Sequence, residues 1–343
     1  MTLTDLEIVP CAVCGSSASH RARMVVPRDE IAQALGLPGG RSSWVVCDQC
    51  GLVYQCPRPG PRAVETMYSE GEYHTNRGGV PEHYLQYSLR RSRDALAWGL
   101  EQGGLVDSPG RALDVGCGVG GALVTLGERG WATVGVEPDP NLAEVAREHF
   151  GLDARTTPLR ADTFPDGEQF DFVYSCHVWE HLTDPTDVSR IAHRLLRESR
   201  GHLLIVVPTY RRARTLAWVC FAAPHTYMFT DVTLGDLLHS AGFDVVASRY
   251  HAGADSELWL LARAADRDPV EPAPQQIDDP RAVQRELATV PLRAPLGLPA
   301  RASTHLRTLA ADPRDFLHRL TRWSRARVAQ VRAALPSSHS TGS

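Results

Sequence analysis

The stretch Arg111-Ala-Leu-Asp-Val-Gly-Cys-Gly-Val-Gly-Gly121 decides how the rest of the chain is read. Ala112–Val115 is a short apolar run of the kind a buried parallel strand needs, and the glycines at 116, 118, 120 and 121 break it at once. Glycine at these points lets the backbone turn tightly and approach a ligand with no Cβ in the way. Ala122–Glu128 then has a helical pattern, so a helix N-terminus faces whatever sits over the loop.

A second strand, Ala132–Val136, ends in the acid Glu137, placed to accept both hydroxyls of a ribose. Dinucleotide-binding folds share a glycine-rich strand–loop–helix, so a nicotinamide-binding domain is the alternative. The spacing G-x-G-x-G, with Asp114 two residues before Gly116, and the acid at 137 tilt the reading away from it. Leu113–Gly120 resembles the first motif of the class I S-adenosylmethionine (SAM)-dependent methyltransferases, D/E-x-G-x-G-x-G, and Gly135-Val-Glu137 resembles their second. The resemblance implies a Rossmann-like α/β fold with a seven-stranded methyltransferase sheet. It also implies that Asp114, Gly116, Cys117, Gly118, Gly120 and Glu137, with Cys176 and His177 at the end of the fourth strand, hold SAM.

Outward from this centre the α/β alternation is regular from Gly110 to about Ala265. Strands are expected at Ala112–Val115, Ala132–Val136, Asp153–Arg155, Phe170–Ser175 and Leu203–Val207. A helix is expected over Val188–Glu198 and another over Asp231–Ser240. Phe243–Tyr250 and Leu258–Ala262 read as a closing strand pair, which agrees with a methyltransferase sheet whose last strand is antiparallel.

Upstream, Cys11-x-x-Cys14 and Cys47-x-x-Cys50 form two knuckles, each able to present two thiolates to one tetrahedral ion. Four thiolates close the coordination shell, so the expectation is a structural Zn²⁺ ribbon; unrelated buried cysteines or an iron site are the alternatives. Pro57-Arg-Pro-Gly-Pro61 is a stiff boundary, followed by a helical stretch from about Pro81 to Gln102. Tyr68, Tyr73, Tyr84 and Tyr87 are candidates for a lid over the cleft or for ordinary packing. From Asp266 the composition shifts to Pro, Ala, Arg and Asp, with an amphipathic helix possible around Phe316–Val328 and disorder expected from Leu335. The expected division is a zinc ribbon over 1–60, a helical linker or lid over 61–108, the SAM-dependent core over 109–265, and a helical extension with a disordered tail over 266–343.

All 36 basic residues of the 343 are arginine. The absence of lysine excludes a pyridoxal Schiff base, a P-loop lysine and lysine general-base chemistry. A net charge of −4 gives no general case for nucleic acid. No secretion signal or bilayer-length apolar run is apparent, so a cytoplasmic protein without membrane contact is expected.

The fourth strand leads into His177-Val-Trp-Glu180-His181-Leu-Thr-Asp184-Pro. Many small-molecule methyltransferases carry a similar segment here. His177, Glu180 and His181 stand at i, i+3 and i+4, on one face if a helix begins at this point. Three readings compete. H-x-x-E-H is formally a zinc-protease pattern. The ubiquinone-pathway O-methyltransferases bind a divalent metal with E-x-x-E-H here, but position 177 is His in this chain. The preferred reading is a metal-free wall of the cleft near the sulfonium; the plainest is that Glu180 only caps a helix. Phe221-Ala-Ala-Pro-His225-Thr-Tyr-Met-Phe229 follows the fifth strand and resembles a segment in which deoxysugar C-methyltransferases carry a histidine base. Those enzymes share the four-cysteine region but have a second large C-terminal domain, so the resemblance covers residues 1–265. His225 is the first candidate base, with His177 and His181 competing and a structural histidine as the alternative.

The reading is a SAM-dependent methyltransferase acting on an O, N or C nucleophile of a small molecule in secondary or sugar metabolism. Its rivals are an RNA or protein methyltransferase whose zinc ribbon reads the substrate, and a non-catalytic SAM-binding scaffold.

Overall fold

The computed structural model describes residues 6–22, 26, 30–69, 82–211, 221–252 and 256–289. They fall within one compact unit that ends at Leu292; a second unit, Arg293–Ser343, lies outside the described residues, as do Tyr73 and the expected Phe316–Val328 helix. The elements run β1 (Leu6–Glu7), β2 (Ser19–Arg21), α1 (Glu30–Ala34), β3 (Trp44–Cys47), β4 (Val53–Gln55), β5 (Arg58–Pro59), α2 (Pro61–Ser69) and α3 (Glu82–Gln102). Then come β6 (Arg111–Val115), α4 (Gly121–Gly127), β7 (Ala132–Val136), α5 (Pro140–Phe150), β8 (Ala154–Arg155), β9 (Phe172–Cys176), α6 (Pro185–Leu196) and β10 (His202–Pro208). The last are β11 (Tyr227–Met228), α7 (Asp231–Ser240), β12 (Phe243–Ala252), β13 (Ser256–Ala264) and α8 (Pro280–Thr289).

Seven strands form one sheet in the order β12-β13-β10-β9-β6-β7-β8. The strands from β8 to β10 along that order are parallel, and β13 runs antiparallel to both β10 and β12. Alternation along β10 sends Leu203, Ile205 and Val207 into one core and Leu204 and Val206 into the core on the opposite face. Each fully buried aliphatic side chain of this kind contributes about 1.5–3 kcal/mol. Strand order reverses between β6 and β9, so the crevice outside their C-terminal ends is where this topology binds ligands. Helix α3 covers the loop after β6. Gly121 makes this possible, because a Cβ there would stand 2.6 Å from the carbonyl carbon of Ser88 on α3.

Several boundaries differ from expectation by a few residues, and two of the shifts have a local reason. Strand β9 begins at Phe172, because the Phe170 amide donates to the Leu195 carbonyl at the end of α6 instead of joining a ladder. Helix α6 begins at Pro185 rather than Val188: Asp184 is its N-cap, accepting from the Asp187 amide at 2.9 Å, and Pro185 takes the first turn. Glu180 is therefore not the helix cap.

A second sheet, β11-β4-β3-β2, is antiparallel throughout and joins the N-terminal cysteine region to the loop after β10. Cys11, Cys47, Cys50, Leu52 and Tyr54 belong to the same core cluster as Leu113, Ile205, Tyr227 and Phe229. Helix α8, which the composition of its segment did not announce, buries Val283 and Leu287 against Trp44, Val46, Val53, Phe221 and Met228. No helix among the described residues is long and apolar enough to cross a membrane.

Candidate active site

On the cofactor side, Gly118 has a left-handed φ of 53° and nothing within 4 Å of the place a Cβ would take, so the loop is open above it. Its amide donates to Glu137 Oε2 at 2.9 Å, and the Asp139 amide donates to Glu137 Oε1 at 2.8 Å. The Glu137 carboxylate is thereby aimed across the loop from the end of β7 and is only 6% exposed. A carboxylate offers about four lone-pair sites, so two acceptor positions stay available for a vicinal diol. Burial pushes Glu137 up to about 7 despite these two hydrogen bonds. Asp114 is buried below it and is raised by burial and by the neighbouring Glu137 charge. Cys117 is buried in the turn, and Cys176 stands half-buried at the end of β9, its thiol pushed up to about 12 by burial. An open glycine turn beside a buried, pre-aimed carboxylate fits the adenosine half of SAM.

The turn after β9 abuts this loop, since a Cβ on Gly116 would meet the Val178 side chain at 2.4 Å. His177 adopts φ 58°, an uncommon conformation for a residue with a side chain, and Trp179–His181 form a single 3₁₀ turn. The expected helical face is thus absent, yet its three polar residues still meet. His177 Nδ1 lies 3.3 Å and His181 Nε2 lies 3.6 Å from Glu180 Oε1.

On its other side His177 Nε2 is 3.0 Å from Glu257 Oε1, which also accepts from Arg91 Nη2 at 2.7 Å, while Trp259 Nε1 donates to Glu257 Oε2 at 2.9 Å. Against the upward push of burial, the His177 hydrogen bond and the Arg91 charge bring Glu257 down to about 2. His177 Nε2 thus meets both the Glu257 carboxylate and Arg91 Nη2, while its Nδ1 faces Glu180. Burial, then the Arg91 charge, lowers His177 to about 4. Glu180 is fully buried, with no hydrogen bond of good geometry to either carboxylate oxygen, and burial raises it to about 8.

His225 arrives from the loop after β10. Its ring centroid is 4.6 Å from that of His181, edge to face, and His225 is 6% exposed. The Pro224 carbonyl accepts from His181 Nδ1 at 3.1 Å, and the Tyr68 hydroxyl also lies 2.8 Å from that nitrogen. Ligand atoms of Glu180, His181 and His225 all lie within 4.8 Å of one another, a set that could hold a divalent cation.

The structure therefore brings His177, His181 and His225 into one cluster beside the glycine loop. Glu257 and Arg91 were missed by sequence reasoning. The available signal for Glu257 was a lone acid opening the otherwise apolar run Leu258–Ala262; Arg91 gives none within a polar helix.

The four cysteines converge as their spacing suggests. Sγ atoms of Cys11 and Cys50 are 3.4 Å apart, those of Cys14 and Cys47 3.5 Å, and all four lie within 4.8 Å of one another. Contact with a neighbouring sulfur, then burial, raises the thiol pKa of Cys11 and of Cys50. A dication removes that penalty, so the donor set fits Zn²⁺.

Residues 82–248 match a family model described as a methyltransferase domain. An uncharacterized methyltransferase of Synechocystis sp. is 30% identical over 172 residues, covering 47% of this chain and 79% of that protein. A ubiquinone biosynthesis O-methyltransferase of Cereibacter sphaeroides is 30% identical over 152 residues, 40% of this chain and 61% of that one. Among solved structures, Burkholderia thailandensis 1,6-didemethyltoxoflavin-N1-methyltransferase, with bound S-adenosylhomocysteine, aligns at TM-score 0.48 and 22% identity, over 63% of this chain and 96% of its own. The chain belongs to the class I SAM-dependent methyltransferases. It spans only about three fifths of the ubiquinone-pathway relatives.

Proposed function

We propose that the protein moves the methyl group of SAM to an O, N or C nucleophile of a small molecule, with His225 as the base on the acceptor side. The observation that carries this is the imidazole cluster His177, His181 and His225 set beside the glycine loop. In this reading Asp114, Gly116, Cys117, Gly118, Gly120 and Glu137 bind the cofactor, and Cys176 and His177 line the passage between the two halves. SAM supplies an electrophilic methyl on a sulfonium. The protein's part is alignment for in-line attack and removal of one proton from the nucleophile. His225 accepts that proton, with the His181 ring packed edge-on against it. Cys11, Cys14, Cys47 and Cys50 hold a structural Zn²⁺, and the division at residues 60, 108 and 265 separates ribbon, lid, core and C-terminal extension.

A small acceptor is favoured over RNA or protein because the ribbon's cysteines pack into the shared core instead of standing free as a reader. Kinship with ubiquinone biosynthesis O-methyltransferases supports the same class of acceptor. A second reading, favoured by the convergence of Glu180, His181 and His225, is that these residues hold a divalent cation that polarises the nucleophile. The separating experiment is turnover of His225→Ala with and without a chelator. Loss of turnover in the variant, with the parent indifferent to chelator, supports the base; parental loss at a chelator level that leaves the four-cysteine zinc bound, restored by added divalent cation, supports the cation.

A further inference from the structure

The ribbon does more than cap the core. Only two residues separate Cys50 from β4, and β4 pairs with β11, setting Tyr54 opposite Tyr227 and Val53 opposite Met228. The Gln55 amide donates to the Thr226 carbonyl at 2.8 Å, and its side-chain amide reaches the Ala223 carbonyl at 3.4 Å. On the opposite side, the Thr226 amide donates to the Glu180 carbonyl at 2.6 Å, and its hydroxyl reaches the Leu182 carbonyl at 2.8 Å. The loop that carries His225 is clasped between the ribbon and the turn that carries Glu180 and His181. The first knuckle is tied to the same region, since the Thr186 hydroxyl donates to the Ala12 carbonyl at 3.3 Å.

One side chain spans all three pieces. Arg58 follows the ribbon, is 6% exposed, and donates through Nη1 to the Tyr227 hydroxyl and through Nη2 to the Thr183 carbonyl, each at 2.7 Å. Its guanidinium carbon is also 5.7 Å from the Tyr227 ring centroid. Among the described residues, the carboxylate within ion-pair reach is Glu7, 3.9 Å away and 40% exposed. A buried guanidinium spent on a tyrosine hydroxyl and a main-chain carbonyl fixes geometry, because its rigid fork needs both acceptors in place. We propose that the four-cysteine ribbon is the fixed wall against which the His225 loop is set, and that Arg58 is the positioning residue joining that wall to both halves of the acceptor side. Zinc bound to Cys11, Cys14, Cys47 and Cys50 then acts at a distance, by holding β4 where β11 can pair with it. The significance for catalysis rests on the acceptor-side role of His225; the coupling itself does not.

The test uses the full-length protein with zinc and SAM as the only probes. Arg58→Met should keep its zinc and bind SAM within about twofold of the parent, because the hydrogen bonds of Arg58 go to Tyr227 and Thr183 and not to the cysteines or the glycine loop. Exchange of the Thr226 amide should rise about ten- to hundredfold, the scale of losing a charged hydrogen bond. The His225 ring signal, identified by its absence in His225→Ala, should move with it. Arg58→Lys, which keeps the charge and one donor, should fall between. Stripping zinc with a chelator should loosen residues 221–230 together with the ribbon, while SAM still protects the loop after β6. Parental Thr226 exchange and an unmoved His225 signal in Arg58→Met would overturn the proposal, as would zinc removal that loosens the ribbon alone. If Arg58→Met loses cooperative folding, Tyr227→Phe decides by the same two readouts: a shift supports the coupling and parental values overturn it. If the coupling is seen but His225→Ala keeps full turnover, the base assignment falls and the coupling stands.

Discussion

Replacing Glu137 with alanine tests the cofactor half of the site. The carboxylate is 6% exposed and aimed by two amide hydrogen bonds, from Gly118 at 2.9 Å and Asp139 at 2.8 Å. Its remaining lone pairs face the open side of the glycine loop, where the ribose hydroxyls of SAM would donate to a charged acceptor. Hydrogen bonds to charged groups contribute about 1.5–3 kcal/mol, so the expected weakening of SAM is roughly 10- to 100-fold, read by calorimetry. The pH dependence sharpens this. Burial raises Glu137 from 4.5 to about 7. Between those values the folded, cofactor-free protein binds the extra proton, so this residue's contribution to stability declines as pH rises through the window. SAM binding runs the other way, because the ionised form accepts from both hydroxyls. Affinity should climb by up to about tenfold per pH unit below 7 and level off above it, and Glu137→Gln should flatten the slope. A folded Glu137→Ala protein with parental affinity, or the same slope in Glu137→Gln, would refute the assignment.

Metal analysis should find about one zinc per chain, lost in Cys47→Ser; iron, or a folded protein without metal, would count against the ribbon. His225→Ala should cut turnover of the natural acceptor by about 10²- to 10⁴-fold and leave SAM affinity nearly unchanged. If His177→Ala or His181→Ala loses turnover while His225→Ala keeps it, the base lies in the turn after β9. Leu287 is 1% exposed in the cluster that α8 makes with the ribbon, so Leu287→Ala should destabilise the protein by about 2–5 kcal/mol in denaturant titration. A loss under about 1 kcal/mol would mean that α8 is not part of the cooperative unit.

The features legible in the sequence are those written in local pattern. Leu113–Val115 followed by closely spaced glycines could only turn, and Glu137 stands at a strand end, so the open turn and the carboxylate beside it follow from a few dozen consecutive residues. The cysteine spacing likewise states its own geometry. The acceptor side is different. His177, Glu180 and His181 suggested a helix by spacing, yet a left-handed residue and a 3₁₀ turn bring them together, because Asp184 and Pro185 are the better helix start. Arg91 and Glu257 meet His177 only through tertiary packing across more than a hundred and fifty residues of chain. The β4–β11 pairing, on which the Arg58 argument depends, joins two strands of two and three residues, too short for any periodicity to announce. Helix α8 falls within the segment expected to be a helical extension, but the composition there did not place it, because only two side chains, Val283 and Leu287, are buried by it.

The central claim is met most directly by following the methyl group. The full-length protein is incubated with methyl-labelled SAM and, separately, with pooled small hydroxyl, amine and carbon-acid metabolites, with RNA, and with protein. The expected result is label in a small molecule, one equivalent of S-adenosylhomocysteine per methyl transferred, and loss of both in His225→Ala. Label entering only RNA or protein, or SAM bound tightly and returned intact from every pool, would contradict it.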